Sequence, residues 1–340
     1  MLYYLAPLEG ITTYIYRNAY ARYFGGIDKY FTPFLSDKST ASTREIRDIL
    51  PENNTGIPLV PQILSNQADR FLAVADRIAS YGYDTVNLNL GCPSGTVTAK
   101  KRGSGFLCDP DALDAFLYEI YEKCSLKISI KTRLGIDSLD EWARLLEIYG
   151  KYPLEELIIH VRLQQEFYAG RTHPEAYAAA VKRLEHCTAA DPHAETLNGI
   201  PLCYNGDIVS VSSLAKIMEQ TPLNRVMIGR GIIQNPGLTA QLRSAKLSCS
   251  AHPAQETEPA VSADRRLHSS ETWRAFHDEI LEGYMQIMSG DSPVLYKMKD
   301  LWTYMSRSFD GSEKCLKKLR KATRIPEYVR AVDEMFRLWE

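Results

Sequence analysis

The sequence predicts an α/β fold, a (β/α)8 TIM barrel followed by a small C-terminal helical bundle. Through the first 245 residues, short apolar runs alternate with amphipathic helical stretches, as parallel strands joined by crossover helices do. The apolar runs number eight, which is the strand count that closes such a barrel. After residue 270 the hydrophobic pattern is helical throughout.

The predicted strands are short, apolar and bounded by turn residues. They are Leu2–Ala6, Lys29–Thr32, Pro58–Ile63, Thr85–Asn89, Lys127–Thr132, Leu157–Val161, Pro201–Tyr204 and Arg225–Ile228. The helices predicted between them are Tyr14–Tyr23, Thr43–Ile49, Gln67–Ser80, Pro110–Lys123, Leu139–Tyr149, Pro174–Leu184 and Val209–Glu219. A doubly wound open sheet is the alternative, but it usually carries Gly-x-Gly-x-x-Gly after its first strand. This chain has Ala-Pro-Leu-Glu-Gly there.

The rest of the chain divides into a linker and a helical region. Residues 246–270 are rich in Ser, Ala, Pro and charge and show no periodicity, which is typical of a linker. Helices are predicted at Glu271–Gly290, Pro293–Ser308, Gly311–Ala322 and Ile325–Leu338. We therefore predict a barrel domain over residues 1–245, a linker over 246–270 and a helical domain over 271–340.

The composition is that of a soluble globular protein, with 45% hydrophobic and 24% charged residues. No apolar run approaches the ~20 residues of a membrane helix, and the N-terminus lacks the basic region of a signal peptide. The seven cysteines include no Cys-x-x-Cys pair, which argues against a disulfide framework or a zinc site. We expect a cytoplasmic protein without a metal. Because the net charge is −2, any nucleic-acid surface must be local.

One cysteine stands at a position of special interest. The apolar run Val86–Leu90 ends at Gly91-Cys92-Pro93. The glycine allows unusual dihedrals and the proline prevents further strand pairing, so Cys92 is predicted on a constrained turn at a strand end. The polar residues after Cys92, together with the basic, glycine-containing stretch Lys100–Gly105, are predicted to form a mobile loop. The alternative is a structural cysteine, since free cysteine is often a small buried hydrophobe.

Polar or reactive residues follow most of the predicted strands. In a (β/α)8 barrel the carboxyl ends of the strands meet at one face, where the active site lies. The residues are Glu9, Gln62, Asn89, Cys92, Lys131, Arg133, His160, Arg162, Asn205-Gly206-Asp207 and Gly229-Arg230-Gly231. Their common position predicts one site.

The residue types in this set suit a phosphorylated flavin. The two glycine turns let backbone N–H groups approach a phosphate and Arg230 adds a charged donor; the alternative is that the glycines only close tight turns. Lys131 at an interior strand end needs an anionic or carbonyl partner, which a flavin ring offers. Gln62 can both donate and accept, as the pyrimidine edge of a flavin requires. His160 can bond a phosphate or ring oxygen, or be structural.

Two chemical roles are open to Cys92. A nucleophile needs a lowered pKa and a nearby base, whereas a general acid must keep its proton at neutral pH. No His or Asp lies beside Cys92 in the sequence, which favours the acid role.

The helical region carries a local positive charge. Between residues 297 and 324 nine Lys and Arg residues stand against three Asp and Glu residues, a net charge of +6. Tyr296, Trp302, Tyr304 and Phe309 are interleaved with them. This pattern favours an RNA surface, and the alternative is a solvated helix face.

These motifs together resemble the tRNA-dihydrouridine synthases of bacterial type. Ala6-Pro7-Leu8-Glu9-Gly10 is similar to the family's opening motif, and Asn89-Leu90-Gly91-Cys92-Pro93 with Val97, Gly103 and Gly105 is similar to its signature loop. Lys131–Gly135, His160-Val161-Arg162, Asn205-Gly206-Asp207 and Ile228–Gly231 match its later motifs in order. The resemblance covers nearly the whole chain.

The resemblance implies an FMN-dependent reduction of tRNA uridine to 5,6-dihydrouridine, with NADPH as reductant and Cys92 as proton donor to C5. It implies FMN contacts at Pro7, Leu8, Glu9, Gln62, Lys131, His160, Asn205, Gly206, Asp207, Gly229 and Arg230. It places Asn89 and Arg162 near the flavin or the target base. Arg133 at its strand end and Lys297, Lys299 and Arg307 in the basic helical region are further candidates for substrate contacts. The partner is tRNA, with a D-loop uridine expected as target, and the enzyme is expected to be a monomer.

The sequence departs from the family pattern at several positions. The family's His-Gly-Arg-Thr reads His160-Val161-Arg162-Leu163, its Gln becomes Glu166, and the acidic residue before the signature Asn is Asn87. The segments 186–197 and 251–262 are additions. These changes bear on the substrate more than on FMN.

Two other functions remain open at this stage. One is an FMN barrel enzyme for a small molecule such as a free pyrimidine, which would not need the basic helical region. The other is an RNA-binding module on a barrel that has lost catalysis, which the intact flavin and acid positions disfavour.

Overall fold

A parallel β-barrel forms the first part of the chain. The computed structural model describes residues 1–38, 40–185, 199–245 and 268–339. The strands are β1 (Leu2–Leu5), β2 (Lys29–Phe31), β3 (Leu35–Ser36), β4 (Leu59–Val60), β5 (Gln62–Leu64), β6 (Thr85–Leu90), β7 (Lys127–Arg133), β8 (Leu157–His160), β9 (Leu202–Asn205) and β10 (Arg225–Ile228).

The ten strands make eight staves that close into a ring. Strand β4 pairs with β2 on one side, and β5 pairs with β6 on the other. Only Pro61 separates β4 from β5. Proline has no N–H to give the ladder, but its carbonyl still accepts from the N–H of Asn87 at 2.9 Å. Strand β3 continues the stave of β2 and pairs with β5. All pairings are parallel, so the predicted (β/α)8 barrel is confirmed.

Helices follow the strands as the hydrophobic periodicity predicts, with ends shifted by two residues at most in the barrel. They are α1 (Tyr14–Tyr23), α2 (Thr43–Ile49), α3 (Ala68–Ser80), α4 (Gly95–Thr98), α5 (Pro110–Lys123), α6 (Glu141–Tyr149), α7 (Pro174–Glu185), α8 (Val211–Met218), α9 (Arg230–Gln234) and α10 (Leu238–Ser244). The helical region contains α11 (Ser270–Ile287), α12 (Asp291–Met305), α13 (Glu313–Lys321) and α14 (Ile325–Phe336).

The strands alternate between two cores, as the two-residue period of a strand requires. On β1, Tyr3 and Leu5 belong to the large core shared with the helices. Tyr4 and Ala6 belong instead to a small inner cluster that fills the barrel with residues from other strands. The cluster comprises Tyr4, Ala6, Phe31, Val60, Ile158, Cys203 and Met227.

A buried carboxylate closes the amino-terminal end of the barrel. Glu156 is 1% exposed and accepts a hydrogen bond from the Tyr4 hydroxyl at 2.7 Å. Lys29 donates to it at 3.2 Å, and Arg225 lies 3.5 Å away. A buried charge is tolerated when it is paired in this way. This end of the barrel is therefore filled, and the opposite end carries the open cavity.

The helical region packs directly on the barrel. Phe276 of α11 contacts Tyr16 and Phe24 edge to face, at ring distances of 5.5 and 5.1 Å. The hydroxyls of Thr13 and Tyr284 lie 3.0 Å apart. Aromatic pairs of this geometry stabilise beyond their buried area, so α1 and α11 hold the two parts of the chain together.

The stretch predicted as a mobile basic loop is instead folded into the core. It forms α4 and a 3₁₀ turn over Gly103–Cys108, and Gly103, Ser104 and Gly105 are buried. A Cβ on Gly105 would lie 2.7 Å from Thr98 Cα. The glycines therefore permit close packing rather than motion.

Three sequence predictions fall outside the described residues. The added segment 186–197 lies there entirely, and so does 251–262. The predicted linker 246–270 is described only from residue 268 onward.

We predict that Gly283→Val destabilises the protein by about 1–3 kcal/mol, because inserting carbon atoms into a packed interface forces neighbours to shift. A Cβ at Gly283 of α11 would lie 2.7 Å from Ile15 Cγ2 of α1. The free energy of unfolding in urea measures the loss. Gln286→Val, at an exposed position of the same helix, is the control for β-branching. Equal stabilities of the two variants would contradict the packing account.

Candidate active site

A cavity of about 430 Å³ opens at the carboxyl ends of the barrel strands. It is lined by residues from every stave and from α12. The side chains of interest are Pro7, Leu8, Glu9, Phe34, Gln62, Asn89, Cys92, Lys131, Arg133, His160, Tyr168, Asn205, Asp207, Arg230, Tyr304 and Arg307. Gly206, Gly229 and Gly231 also line it.

The structure brings together most of the residues predicted for one site. All eleven positions expected to contact FMN line the cavity, as do Cys92, Asn89, Arg133 and Arg307. Arg162 lies behind the wall, bonded to Asp207. Lys297 donates to the carbonyl of Gly10 at 3.1 Å, and Lys299 donates to that of Ala322 at 2.6 Å. These two lysines therefore fasten backbone segments outside the cavity.

A chain of buried side-chain hydrogen bonds runs beneath the cavity and fixes the orientation of each amide in it. The Ser129 hydroxyl donates to the Val86 carbonyl at 3.2 Å and accepts from Asn87 Nδ2 at 2.9 Å. Asn87 Oδ1 then accepts from Gln62 Nε2, and Gln62 Oε1 accepts from Asn89 Nδ2, both at 2.8 Å. A carbonyl can only accept. The direction of the whole chain therefore follows from one backbone group.

The far end of this chain holds the turn that carries Cys92. Asn89 Oδ1 accepts from the N–H groups of both Gly91 and Cys92 at 3.0 Å. The N–H and hydroxyl of Ser104 donate to the Cys92 carbonyl at 3.0 and 2.9 Å. Gly103 packs so closely that a Cβ there would lie 2.7 Å from that carbonyl. Because the Asn89 amide is engaged within the protein, its geometry favours positioning of Cys92 over direct contact with a substrate.

The environment of Cys92 keeps its thiol protonated. Burial raises the pKa of Cys92, and the nearby Glu9 carboxylate adds to the rise. The N–H of Ser94 and the cations Arg133 and Lys131 oppose this effect without overcoming it. A thiol with a raised pKa is a weak nucleophile and a suitable proton donor at neutral pH. Of the two roles open in the sequence, the site favours the acid.

Lys131 is a partly buried cation in the wall of the cavity. Burial lowers its pKa to about 8, and the positive charge of Arg133 contributes. Its ammonium group donates to Asn205 Oδ1 at 2.9 Å, and Asn205 Nδ2 in turn donates to the Met227 carbonyl at 2.8 Å. This second bond sets the Asn205 oxygen toward Lys131 and leaves the other ammonium protons for a ligand.

Arg133, Arg162 and Arg230 hold the loop that follows β8. Arg133 donates to the carbonyls of Gly91, Leu163 and Phe167, each at 2.8 Å. Arg162 donates to the Gly170 carbonyl, and Arg230 donates to that of Tyr168. Arg162 and Arg230 also share the carboxylate of Asp207. Burial acts to raise the pKa of Asp207, but the bonds from Arg162 lower it overall.

Tyr168 is a wall of the cavity to which the sequence analysis gave no role. Its ring lies 5.4 Å from the Arg133 guanidinium and 5.6 Å from that of Arg230, and it stacks on His160 at 6.3 Å. Cation–π contacts of this kind stabilise the ring orientation. Burial and then Arg133 lower the pKa of His160 well below its usual range, so this imidazole is neutral.

Two further wall residues were not predicted. Phe34 follows β2 and lies in a stretch without a sequence motif. Tyr304 was noted in the sequence only as one of the aromatic residues interleaved with the basic residues of the helical region.

The glycine turns after β9 and β10 are required by packing. A Cβ on Gly231 would lie 2.1 Å from the Ile208 carbonyl oxygen, and one on Gly206 would lie 2.7 Å from Val161 Cγ2. At Gly229 the nearest atoms are 3.3 Å away, on Ala6 and Leu8. The alternative considered for the sequence, that glycines close tight turns, therefore holds for Gly206 and Gly231. Phosphate binding at these turns stays a prediction.

The two departures Glu166 and Asn87 make bonds within the protein. Glu166 accepts from the Leu163 N–H at 2.7 Å and lies 2.8 Å from His173 Nε2. Asn87 is part of the hydrogen-bond chain under the cavity. Its Nδ2 donates to the Ser129 hydroxyl, which a carboxylate at this position could not do because it has no donor. Both substitutions therefore act on the frame of the site.

Within the described ranges, no cluster of three or more His, Cys, Asp or Glu side chains has the arrangement of a metal site. None of the helices in the described part of the chain is long and apolar enough to cross a membrane.

Comparison with known proteins matches residues 4–326 to the family described as Dihydrouridine synthase (Dus). The chain is 32% identical over 235 residues to the probable tRNA-dihydrouridine synthase 2 of Bacillus subtilis (strain 168), covering 68% of this chain and 69% of that protein. It is 30% identical over 235 residues to the probable tRNA-dihydrouridine synthase of Staphylococcus aureus (strain Mu50), covering 68% of each. The structure of histamine dehydrogenase from Rhizobium sp. 4-9 aligns with a TM-score of 0.47 at 12% identity, over 72% of this chain and 46% of that one.

We predict that Cys92 reacts with iodoacetamide more slowly than Cys108 at neutral pH, because only the thiolate attacks and burial raises the pKa of Cys92. Cys108 is exposed. The rate at Cys92 should rise with pH and reach its midpoint above the ordinary cysteine value. Mass spectrometry of peptides from timed reactions gives both rates in one sample. A faster reaction at Cys92 below pH 8 would indicate a nucleophile instead.

Proposed function

Because this chain belongs to the dihydrouridine synthase family, we propose that it reduces uridine in tRNA to 5,6-dihydrouridine, with FMN as cofactor and NADPH as reductant. One observation carries this proposal beyond family membership. A protonated thiol, that of Cys92, is fixed in the wall of a cavity that also contains the partly buried cation Lys131 and the amide of Gln62.

Three properties of the cavity suit the flavin ring. Its volume of about 430 Å³ is in the range of small-molecule sites. No carboxylate of the described chain is among the groups that shift the pKa of Lys131, so an anionic or carbonyl group of a ligand would offset the cost of its burial. Gln62 keeps one N–H and one lone pair outside its bonds to Asn87 and Asn89.

The phosphate of FMN is assigned to the turns after β9 and β10. Gly206 and Gly229 line the cavity there without side chains, and Gly229 is partly exposed. Arg230 keeps donors beyond those that bond Tyr168 and Asp207. The Asp207 carboxylate itself would repel a phosphate, so we assign it the orientation of Arg162 and Arg230. His160, which is neutral, can donate one hydrogen bond to the ring or the ribityl chain.

A bound FMN would supply the hydride that C6 of uracil receives, with electrons taken from NADPH. The residues of this chain supply the proton and the orientation. The Cys92 thiol holds its proton because burial raises its pKa, and it would deliver that proton to C5. The turn is fixed by Asn89 and Ser104, which limits the entropy lost on reaching the reactive geometry.

The thiolate left on Cys92 would be stabilised by the cations beside it. Arg133 and Lys131 both act to lower the pKa of this thiol. Their effect is too small to ionise it in the free protein, yet it reduces the cost of the charge formed during proton transfer. The Cys92 thiol can therefore be protonated in the free protein and still deliver its proton during the reaction.

The helical region is assigned to the tRNA. Tyr304 of α12 and Arg307 of the 3₁₀ turn that follows it reach the cavity, and the stretch 297–324 has a net charge of +6. Phosphate contacts by Lys and Arg supply most of the sequence-independent affinity for RNA. A uridine must leave its stack to enter a cavity of this kind, so the basic surface has to hold the tRNA while the base is displaced.

We predict that Lys131→Met weakens FMN binding roughly tenfold or more, since a hydrogen bond from a charged donor is lost. Lys127→Met, at the exposed opposite end of the same strand β7, is the matched control. Quenching of flavin fluorescence on titration with apoprotein measures both dissociation constants. For the unchanged protein, affinity should fall as pH rises through about 8, where free Lys131 loses its proton. Equal affinities for the two variants would contradict the assignment.

We predict that Cys92→Ala retains bound flavin but reduces dihydrouridine formation by about 10²- to 10⁴-fold, the range of a lost general acid. The measurement is the dihydrouridine content of tRNA after incubation with NADPH and the purified holoprotein, together with its visible spectrum. Cys108→Ala, which removes an exposed thiol, should behave as the unchanged protein. A colourless protein, or unchanged tRNA with the parent holoenzyme, would overturn the proposed function; full activity of Cys92→Ala would overturn only the role of the thiol.

A further inference from the structure

Phe167 does not itself line the cavity, but it precedes the cavity residue Tyr168 in the loop after β8, and its ring is exposed. It is 53% exposed, and no other phenylalanine in the described part of the chain is as exposed. We propose that Phe167 stacks on the base next to the target uridine and so replaces the stacking lost when that uridine is displaced. The proposal rests on the function proposed above, and it adds a substrate-positioning residue outside the predicted site.

The backbone of Phe167 is in a conformation that bulky residues avoid. Its φ is +48°, in the left-handed region that is a genuine outlier for such side chains. Strain of this kind persists only where the surroundings enforce it, and it is concentrated at binding sites and clamps. A glycine would adopt this conformation freely, so the phenyl ring is kept at an energetic cost.

The surrounding loop enforces the conformation. Arg133 Nη2 donates to the Phe167 carbonyl, and the Phe167 N–H donates to the Gln164 carbonyl at 3.1 Å. The turn closes where the Gly170 N–H donates to the Glu166 carbonyl at 2.9 Å, and a Cβ on Gly170 would lie 2.4 Å from that of Glu166. The ring is therefore presented on a rigid turn, which lowers the entropy lost on binding.

Phe167, the residue in the left-handed conformation, and Tyr168 are consecutive aromatic residues whose rings have different surroundings. The Tyr168 ring lies against Arg133 and Arg230 and lines the cavity. The ring of Phe167 makes no ring contact with another aromatic side chain or cation of the described chain. Both side chains are 53% exposed, but the Tyr168 ring lies against two guanidinium groups, whereas the Phe167 ring has no such contact.

A nucleobase is the partner that this arrangement fits. An exposed aromatic ring stacks on any base, whatever its sequence, because every base has a π-face. The basic residue Arg307 lines the adjacent cavity and supplies attraction for the flanking phosphates. Displacement of a base leaves its neighbour unstacked. A rigid apolar ring next to a cavity residue would compensate for that loss, as apolar wedges do where proteins unstack bases.

The test is a substitution series at position 167 in the full-length holoenzyme with a tRNA transcript as substrate. Phe167→Ala, Phe167→Leu and Phe167→Gly should each lower kcat/KM about tenfold with flavin content unchanged, whereas Phe167→Trp should retain it. The Phe167→Trp protein should also lose indole fluorescence on tRNA binding beyond the loss in the parent protein. Tyr118→Ala, which removes an exposed aromatic ring of α5, should leave kcat/KM unchanged.

The series separates stacking from a merely conformational role. Parental rates with leucine or glycine at position 167, or unchanged fluorescence of the Phe167→Trp protein on binding, would overturn the stacking role while the parent still forms dihydrouridine. If the parent forms none, the proposed function itself fails, and this inference fails with it.

Discussion

The geometry of the site depends on the side-chain amide of Asn89. Its oxygen accepts from two consecutive N–H groups and so shapes the turn at Cys92, and its nitrogen fixes Gln62. The chain of bonds through Asn87 and Ser129 ends at a backbone carbonyl, which can only accept. An amide reversed anywhere along it would leave a buried donor facing a donor, at a cost of about 1–3 kcal/mol. One strand thus orients both the thiol and the amide that faces the ligand.

Burial shifts the pKa values of two cavity groups, Cys92 and Lys131, in opposite directions. Burial keeps the Cys92 thiol protonated and brings the pKa of Lys131 to about 8. At neutral pH the thiol is therefore uncharged, whereas Lys131 is still mostly protonated and can lose its charge as the pH rises through about 8. Asp207 is the carboxylate shared by Arg162 and Arg230. The wall carries more positive than negative charge as a result, which suits a ligand with a phosphate.

The helical region completes the cavity as well as extending the surface. Tyr304 of α12 and Arg307 of the 3₁₀ turn after it line the cavity, and the packing of Phe276 of α11 on α1 holds the helical region on the barrel. Docking of the two parts of the chain is therefore needed to complete the cavity wall. An RNA surface and a cofactor pocket that share α12 are consistent with a substrate that must be held and opened at the same time.

The sequence by itself determined the barrel, its strand order and most of the cavity wall. Two-residue alternation and strand number are local properties, and parallel connection forces the carboxyl ends of the strands to one face. Motifs such as Asn205-Gly206-Asp207 could therefore be assigned to the site before any contact was known. Only the tertiary structure showed that Asn89 and Arg133 form their hydrogen bonds with other groups of the protein. It also showed that Lys297 and Lys299 donate to backbone carbonyls and that the stretch around Gly103 is packed rather than mobile. It alone placed Tyr168 and Tyr304 in the cavity wall and showed that the ring of Phe167, next to Tyr168, is exposed. These contacts depend on which carbonyls and rings lie within about 3 to 6 Å of each other in the folded chain. Because the partners are distant in the sequence, residue types alone do not predict which of them meet.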